Sequence, residues 1–135
     1  VRVKVVCGRI GETVGPVREI SVAPEYLDVV VPADVAWSHP IPAGHSVLAY
    51  VFEGDGRFGP AAGAGLAANG TLVAFGGEGE VAVAAGKAGV RFLLISGRPL
   101  REPIAWGGPI VMNTQEELRT AFAEYEQGTF LRHSR

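Results

Sequence analysis

Apolar and polar residues alternate along most of the chain in short runs, a period of two that marks strands with one buried face. The runs are rich in β-branched and aromatic residues, and they predict strands over residues 1–6, 17–22, 26–31, 46–52, 71–75, 80–84 and 90–96. Nineteen glycines and nine prolines, most of them in the first hundred residues, leave no room there for a long helix. Glu53-Gly54-Asp55-Gly56 reads as a turn, residues 59–70 as a flexible surface loop of low complexity, and residues 76–80 as a hairpin turn. Strands at this spacing predict a β-sandwich or small barrel.

The last third changes period. Met112-Asn113-Thr114-Gln115-Glu116-Glu117 predicts a helix start, and the helix is expected over residues 112–128. Thr114 with Glu117 has the spacing of a capping box, and Asn113 with Glu116 offers it one residue earlier. Leu118, Ala121, Phe122 and Tyr125 fall in one apolar stripe, with Glu116, Arg119, Glu124 and Glu126 on the watered side. Gly128 supplies a left-handed stop. A single amphipathic helix following strands must lay its stripe on the sheet or on another domain.

At 135 residues the chain suits one domain. Its charged fraction of 19% is low for a soluble domain, and a surface short of charge is one suited to being covered. A net charge of −2 gives no basic field for nucleic acid or an anionic membrane. No apolar run is long enough to span a bilayer, and the alternating N-terminus has no signal-peptide core. A lone cysteine, Cys7, excludes an internal disulfide and points to a reducing compartment, so the cytoplasm is expected. Beginning at Val1, the chain reads as a fragment or processed product.

Glu102-Pro103-Ile104-Ala105-Trp106-Gly107-Gly108-Pro109-Ile110-Val111-Met112-Asn113-Thr114 resembles the end of pirin-family proteins, where such a run leads into the final helix. Gly97-Arg98-Pro99-Leu100, Tyr26-Leu27-Asp28-Val29, Pro42-Ala43-Gly44-His45 and Ala49-Tyr50-Val51-Phe52-Glu53-Gly54 are similar to further parts of the same pattern, in order. The resemblance implies an all-β cupin-type fold, a double-stranded β-helix or jelly-roll barrel, with one C-terminal α-helix. It implies the C-terminal half of a bicupin: residues 1–135 as one domain, with barrel and connections over 1–111 and the helix over 112–128. The family's metal, iron or another divalent ion, sits in the N-terminal barrel. Some members oxidise quercetin and related flavonols, and others act as transcriptional co-regulators.

The cupin pattern of metal ligands can be laid on this chain. With its first stretch ending at Gly54, the glutamate position falls on Val47 and the histidine positions on Ala43 or Pro42 and on Ile41 or Pro40. With the second stretch anchored at Gly86, the histidine falls on Gly89 and the asparagine on Leu93. No catalytic residue, no metal ligand and no cofactor is therefore expected here, and apolar side chains should fill the barrel. His45 shares strand parity with Val47 and is expected to aim inward, as a histidine hydrogen-bonded in the turn before a strand. The glycine-rich 76–80 segment has no helix N-terminus for phosphate, and Ser46 and Ser96 have no local acid–base partner. Cys7 reads as a buried inert thiol, and Glu53 with Asp55 as solvated turn acids.

Three functions follow as expectations. The leading one is a non-catalytic, metal-free cupin half that supports or gates a dioxygenase-type N-terminal barrel of the same protein. The second is a protein-interaction module of the co-regulator kind. The third is a small-molecule barrel with His45, Trp37 and Tyr50 at its mouth. Trp106, Pro109, Ile110 and Met112 are the expected domain or partner interface. The partner is the N-terminal half or a second copy in a homodimer, with no direct nucleic-acid contact and no membrane.

Overall fold

The computed structural model describes residues 1–60, 63–76 and 79–131. Two compact units divide the chain, Val1–Pro99 and a second from Leu100 onward.

In the first unit, β1 (Arg2–Cys7) is followed by the short pair β2 (Arg9–Ile10) and β3 (Thr13–Val14). Then come β4 (Glu25–Val31), β5 (Ala36–Ile41), β6 (Ser46–Phe58), β7 (Gly65–Ala68), β8 (Leu72–Phe75) and β9 (Gly79–Gly97). The sheet runs β1-β4-β9-β6-β7, with β5 on the far end of β9 and β8 on β6. All these pairings are antiparallel, and β6 and β9 span most of the unit. Alternation decides what is buried: Leu27, Val29 and Val31 on β4, Val47, Ala49 and Val51 on β6, and Phe92 and Leu94 on β9 form one core.

Several expected boundaries move. Glu53-Gly54-Asp55-Gly56 is no turn: β6 continues through it, shifting register against β9 between Gly54 and Gly56. Gly54 has φ 71, and a Cβ there would collide with the Gly89 carbonyl oxygen. Glycine thus lets the strand bend instead of reversing. The strands expected over 80–84 and 90–96 are one strand, because residues 86–89 bulge out of register with β6 without ending it. Residues 17–22 form no strand; only Val17 bridges to Cys7. Conversely β5 was missed, since Pro40 and the polar Ser38 and His39 break the apolar signal. Within the loop expected over 59–70, β7 pairs with Asp55–Phe58 and buries Ala67. The hairpin expected over 76–80 includes Gly77 and Glu78, which lie outside the described residues; β8 and β9 on either side each pair with other strands.

In the second unit, β10 (Ala105–Gly107) and β11 (Ile110–Met112) pair as a hairpin, followed by α1 (Gln115–Glu126). The helix is shorter than the expected 112–128 at both ends, and β11 occupies the residues before it. Thr114 is the N-cap and forms the full capping box with Glu117. At the other end Gly128 has φ 70, and the Gly128 and Thr129 N–H groups donate to Tyr125 and Glu124 carbonyls, a Schellman stop. The stripe lies on the hairpin: Leu118 and Ala121 are buried with Ala105 and Ile110, and Met112 and Phe122 pack beside them. Tyr125, expected in the stripe, is 66% exposed and meets Phe130 instead.

Candidate functional site

The cupin ligand positions hold no donor set. Val47 is buried in the core and Ile41 packs against it, while Pro40, Pro42 and Ala43 lie at the surface. The expected second-stretch register needs correction. Leu93 sits on the outer face opposite Tyr50 and Asp28, and Phe92 and Leu94 are the inward residues, because bulging at 86–89 resets the alternation. Phe92 fills the middle of the barrel against Phe58 (5.1 Å, edge-on) and Trp37 (5.9 Å). An interior of Val, Ala, Leu and Phe side chains does not fit a metal ion, which needs several N, O or S donors aimed at one point. Among the described residues, no group of three or more His, Cys, Asp and Glu stands together in a way that could hold one.

Polar chemistry gathers instead at one end of the barrel. Glu25 opens β4 and lies directly across from Ser96 of β9. The Ser96 hydroxyl, 2% exposed, donates to Glu25 Oε2 at 3.1 Å. His39 of β5 brings Nε2 to the same oxygen at 3.2 Å, from a strand that is not paired with β4. Trp37 stacks on the His39 ring, centroids 5.7 Å apart and planes nearly parallel. His45, in the turn before β6, sets Nδ1 3.2 Å from Ser96 Oγ. Burial works against ionisation of Glu25, but the hydrogen bonds and positive charge of His39, with the Ser96 hydroxyl, outweigh it and hold the carboxyl below its ordinary 4.5.

His45 thus aims inward, as its parity implied, and is hydrogen-bonded. Ser96 has no partner local in sequence, but the fold brings it Glu25 and His45 from 71 and 51 residues away. His39 was passed over because β5 was; strand parity through Trp37, His39 and Ile41 was the signal available. The other two members of the expected mouth lie apart from His45. Trp37 lines a different cleft with Arg57 and Ala64, and Tyr50 stands on the outer face, 42% exposed.

Beside His45 and Glu25 opens a cleft of about 410 Å³, walled by the 14–24 loop and reached by Cys7, Arg9 and Pro42. The loop is fixed by backbone hydrogen bonds from Gly15 to Gly8, from Val17 to Val6 and from Arg98 to Val22. Cys7 is buried at its margin, as expected.

Of the expected interface residues in the second unit, Trp106 is 74% exposed and Pro109 is exposed. The indole N–H of Trp106 donates to the Gly108 carbonyl at 2.7 Å. Ile110 is buried and Met112 half-buried in the hairpin–helix core, so both are internal packing more than free contact surface. Val111, within the same Trp106–Met112 segment, and Ile104 just before it are also exposed apolar residues.

The model of the pirin C-terminal cupin domain matches residues 26–131. A pirin-like protein of Caulobacter vibrioides is 33% identical over 135 residues, covering 96% of this chain and 46% of the relative. Mouse pirin is 38% identical over 103 residues, 74% of this chain and 35% of the relative. The crystal structure of a quercetin 2,3-dioxygenase from Acinetobacter baumannii superposes with a TM-score of 0.85 at 25% identity, over 95% of this chain and 43% of that one. The chain spans about half the length of the first curated relatives it matches. With the alternating barrel strands, the capped final helix and these matches, the chain belongs to the pirin family, as its C-terminal cupin domain.

Proposed function

We propose that this domain is the non-catalytic half of a longer pirin and supports a metal-dependent, quercetinase-like barrel in the N-terminal half. The carrying observation is the packed interior. Val47, Ala49, Val51, Phe92 and Leu94 occupy the inward rows from which a cupin would present ligands. Apolar burial of this kind holds a scaffold and leaves no pole for dioxygen chemistry. The N-terminal half is the natural partner, and the apolar residues Ile104, Trp106 and Val111, left in water on the second unit, are suited to cover or be covered by it. A homodimer through the same face is the alternative occupant. The lone thiol is in keeping with the cytoplasm, and no described helix is long and apolar enough to cross a membrane.

Elemental analysis of the purified chain tests the reading. It should carry well under one iron, copper, zinc or nickel per chain, and a metal-loaded preparation should oxidise quercetin no faster than the free ion. About one tightly held metal per chain, released by His39→Ala or His45→Ala, would overturn it.

A further inference from the structure

We propose that the cleft floored by His45 and Glu25 binds a small organic carboxylate carried on an apolar body. The hydrogen-bond directions there are determined. Ser96 has one hydroxyl proton, and an ionised Glu25 can only accept, so that proton points to Oε2 at 3.1 Å. His45 Nδ1, 3.2 Å from the same hydroxyl oxygen, must then be the donor. The ring is thereby held with Nδ1–H inward and Nε2 as its remaining functional atom. Among the described residues no buried side-chain nitrogen or oxygen lacks a partner, and none of them bonds Nε2, so Nε2 reaches the open cleft. The relay Glu25–Ser96–His45 fixes the ring so that a lone pair at Nε2 faces the cleft. A carboxylate meets that lone pair only through a shared proton, so the anion binds together with one taken up from solvent.

The remaining charges agree. Arg9 and Arg18 line the cleft, and neither pairs with a carboxylate among the described residues; Arg18 Nε makes one long bond, 3.5 Å, to the Gly15 carbonyl. Glu19 is the one opposing charge besides Glu25, whose Oε2 is already engaged by His39 and Ser96. Cys7 completes the titratable lining. Val14, Val17 and Ile20 are exposed apolar wall residues, 38%, 43% and 46% respectively, and offer contact to the ligand's body. The volume of about 410 Å³ lies in the range of small-molecule clefts.

Benzoate is the probe, titrated into the isotope-labelled full chain by NMR and followed by calorimetry in two buffers of different ionisation heat. Saturable shifts at Cys7, Val17, Ile20 and His45 are expected, with uptake of a fraction of a proton. His45→Ala should weaken binding about tenfold or more and abolish the uptake. Arg18→Gln, an exposed change that leaves the fold intact, should weaken it about two- to fivefold. Benzyl alcohol, of the same shape without the charge, should give no saturable shift. The proposal fails if about 10 mM benzoate gives none, if benzyl alcohol binds equally well, or if affinity is unchanged in both variants.

Discussion

The middle of the barrel and its polar end are built by the same alternation, yet they hold the fold in different ways. On β4 the inward row reads Glu25, Leu27, Val29 and Val31, and on β9 it reads Phe92, Leu94 and Ser96. Each row is apolar in the middle and ends in a polar group. The apolar members gain free energy from leaving water, in proportion to area and with no demand on direction. Glu25, Ser96 and His39 gain only where donors meet acceptors, and no fully buried side-chain nitrogen or oxygen among the described residues lacks a partner. The core can therefore tolerate change of shape better than the polar end can tolerate loss of a partner.

The sharpest test of the first half of that contrast is Phe92→Ala. The ring is fully buried and contacts both Phe58 and Trp37, so the cavity left behind should cost about 3–5 kcal/mol in chemical denaturation. A loss below about 1 kcal/mol would mean that the interior collapses freely and is no rigid scaffold.

The second half is tested by His39→Ala, which strands an ionised, buried Glu25 with one remaining side-chain donor and should cost about 3 kcal/mol. The double change Glu25→Leu with His39→Leu should recover most of that loss, because a buried pair can be replaced by apolar groups at little cost. If the single change is as mild as a surface substitution, the pair is not coupled.

These two regions differed in how legibly the sequence announced them. The core residues of β4, β6 and β9 stand at alternate positions in β-branched runs, and that signal is local. The capping box and Gly128 are also local, and the helix followed from them. Glu25, His39, Ser96 and His45 meet only because β4, β5 and β9 are brought together over 14 to 71 residues of chain, and pairing of that kind has no signature in a window of ten residues. The same reason hid β5, whose polar and proline positions look like a loop until β9 is beside it. The bulged Gly54 looked like part of a turn, since the residue type that reverses a chain also bends one.

A smaller effect separates the second unit from the barrel. Phe122 is half-buried against Gly107 and Leu118, where a Cβ added to Gly107 would meet the ring at 3.0 Å. Phe122→Ala should cost about 1.5–3 kcal/mol, less than a fully buried ring, measured as a loss of helicity or of melting temperature. No change in either would show that Leu118 and Ala121 alone seat the helix.

The smallest effect is the dependence of the polar end on pH. Glu25 is held below its ordinary 4.5 when folded, mainly because His39 and Ser96 outweigh the cost of burial. Between the unfolded and folded values the unfolded chain binds more protons, so stability falls as pH falls. The contribution is fully present above about 4.5 and is lost as the carboxyl protonates in the native state. Asp28, lowered by its hydrogen bonds from Arg91 against a smaller cost of burial, behaves in the same direction on the outer face, so the wild-type profile alone does not isolate Glu25. The difference from Glu25→Gln does. The variant should be the less stable protein at neutral pH, and the gap between the two should close as pH drops through and below 4.5. A gap that stays constant to pH 3 would place the contribution of Glu25 in its shape and hydrogen bonds instead of in its charge.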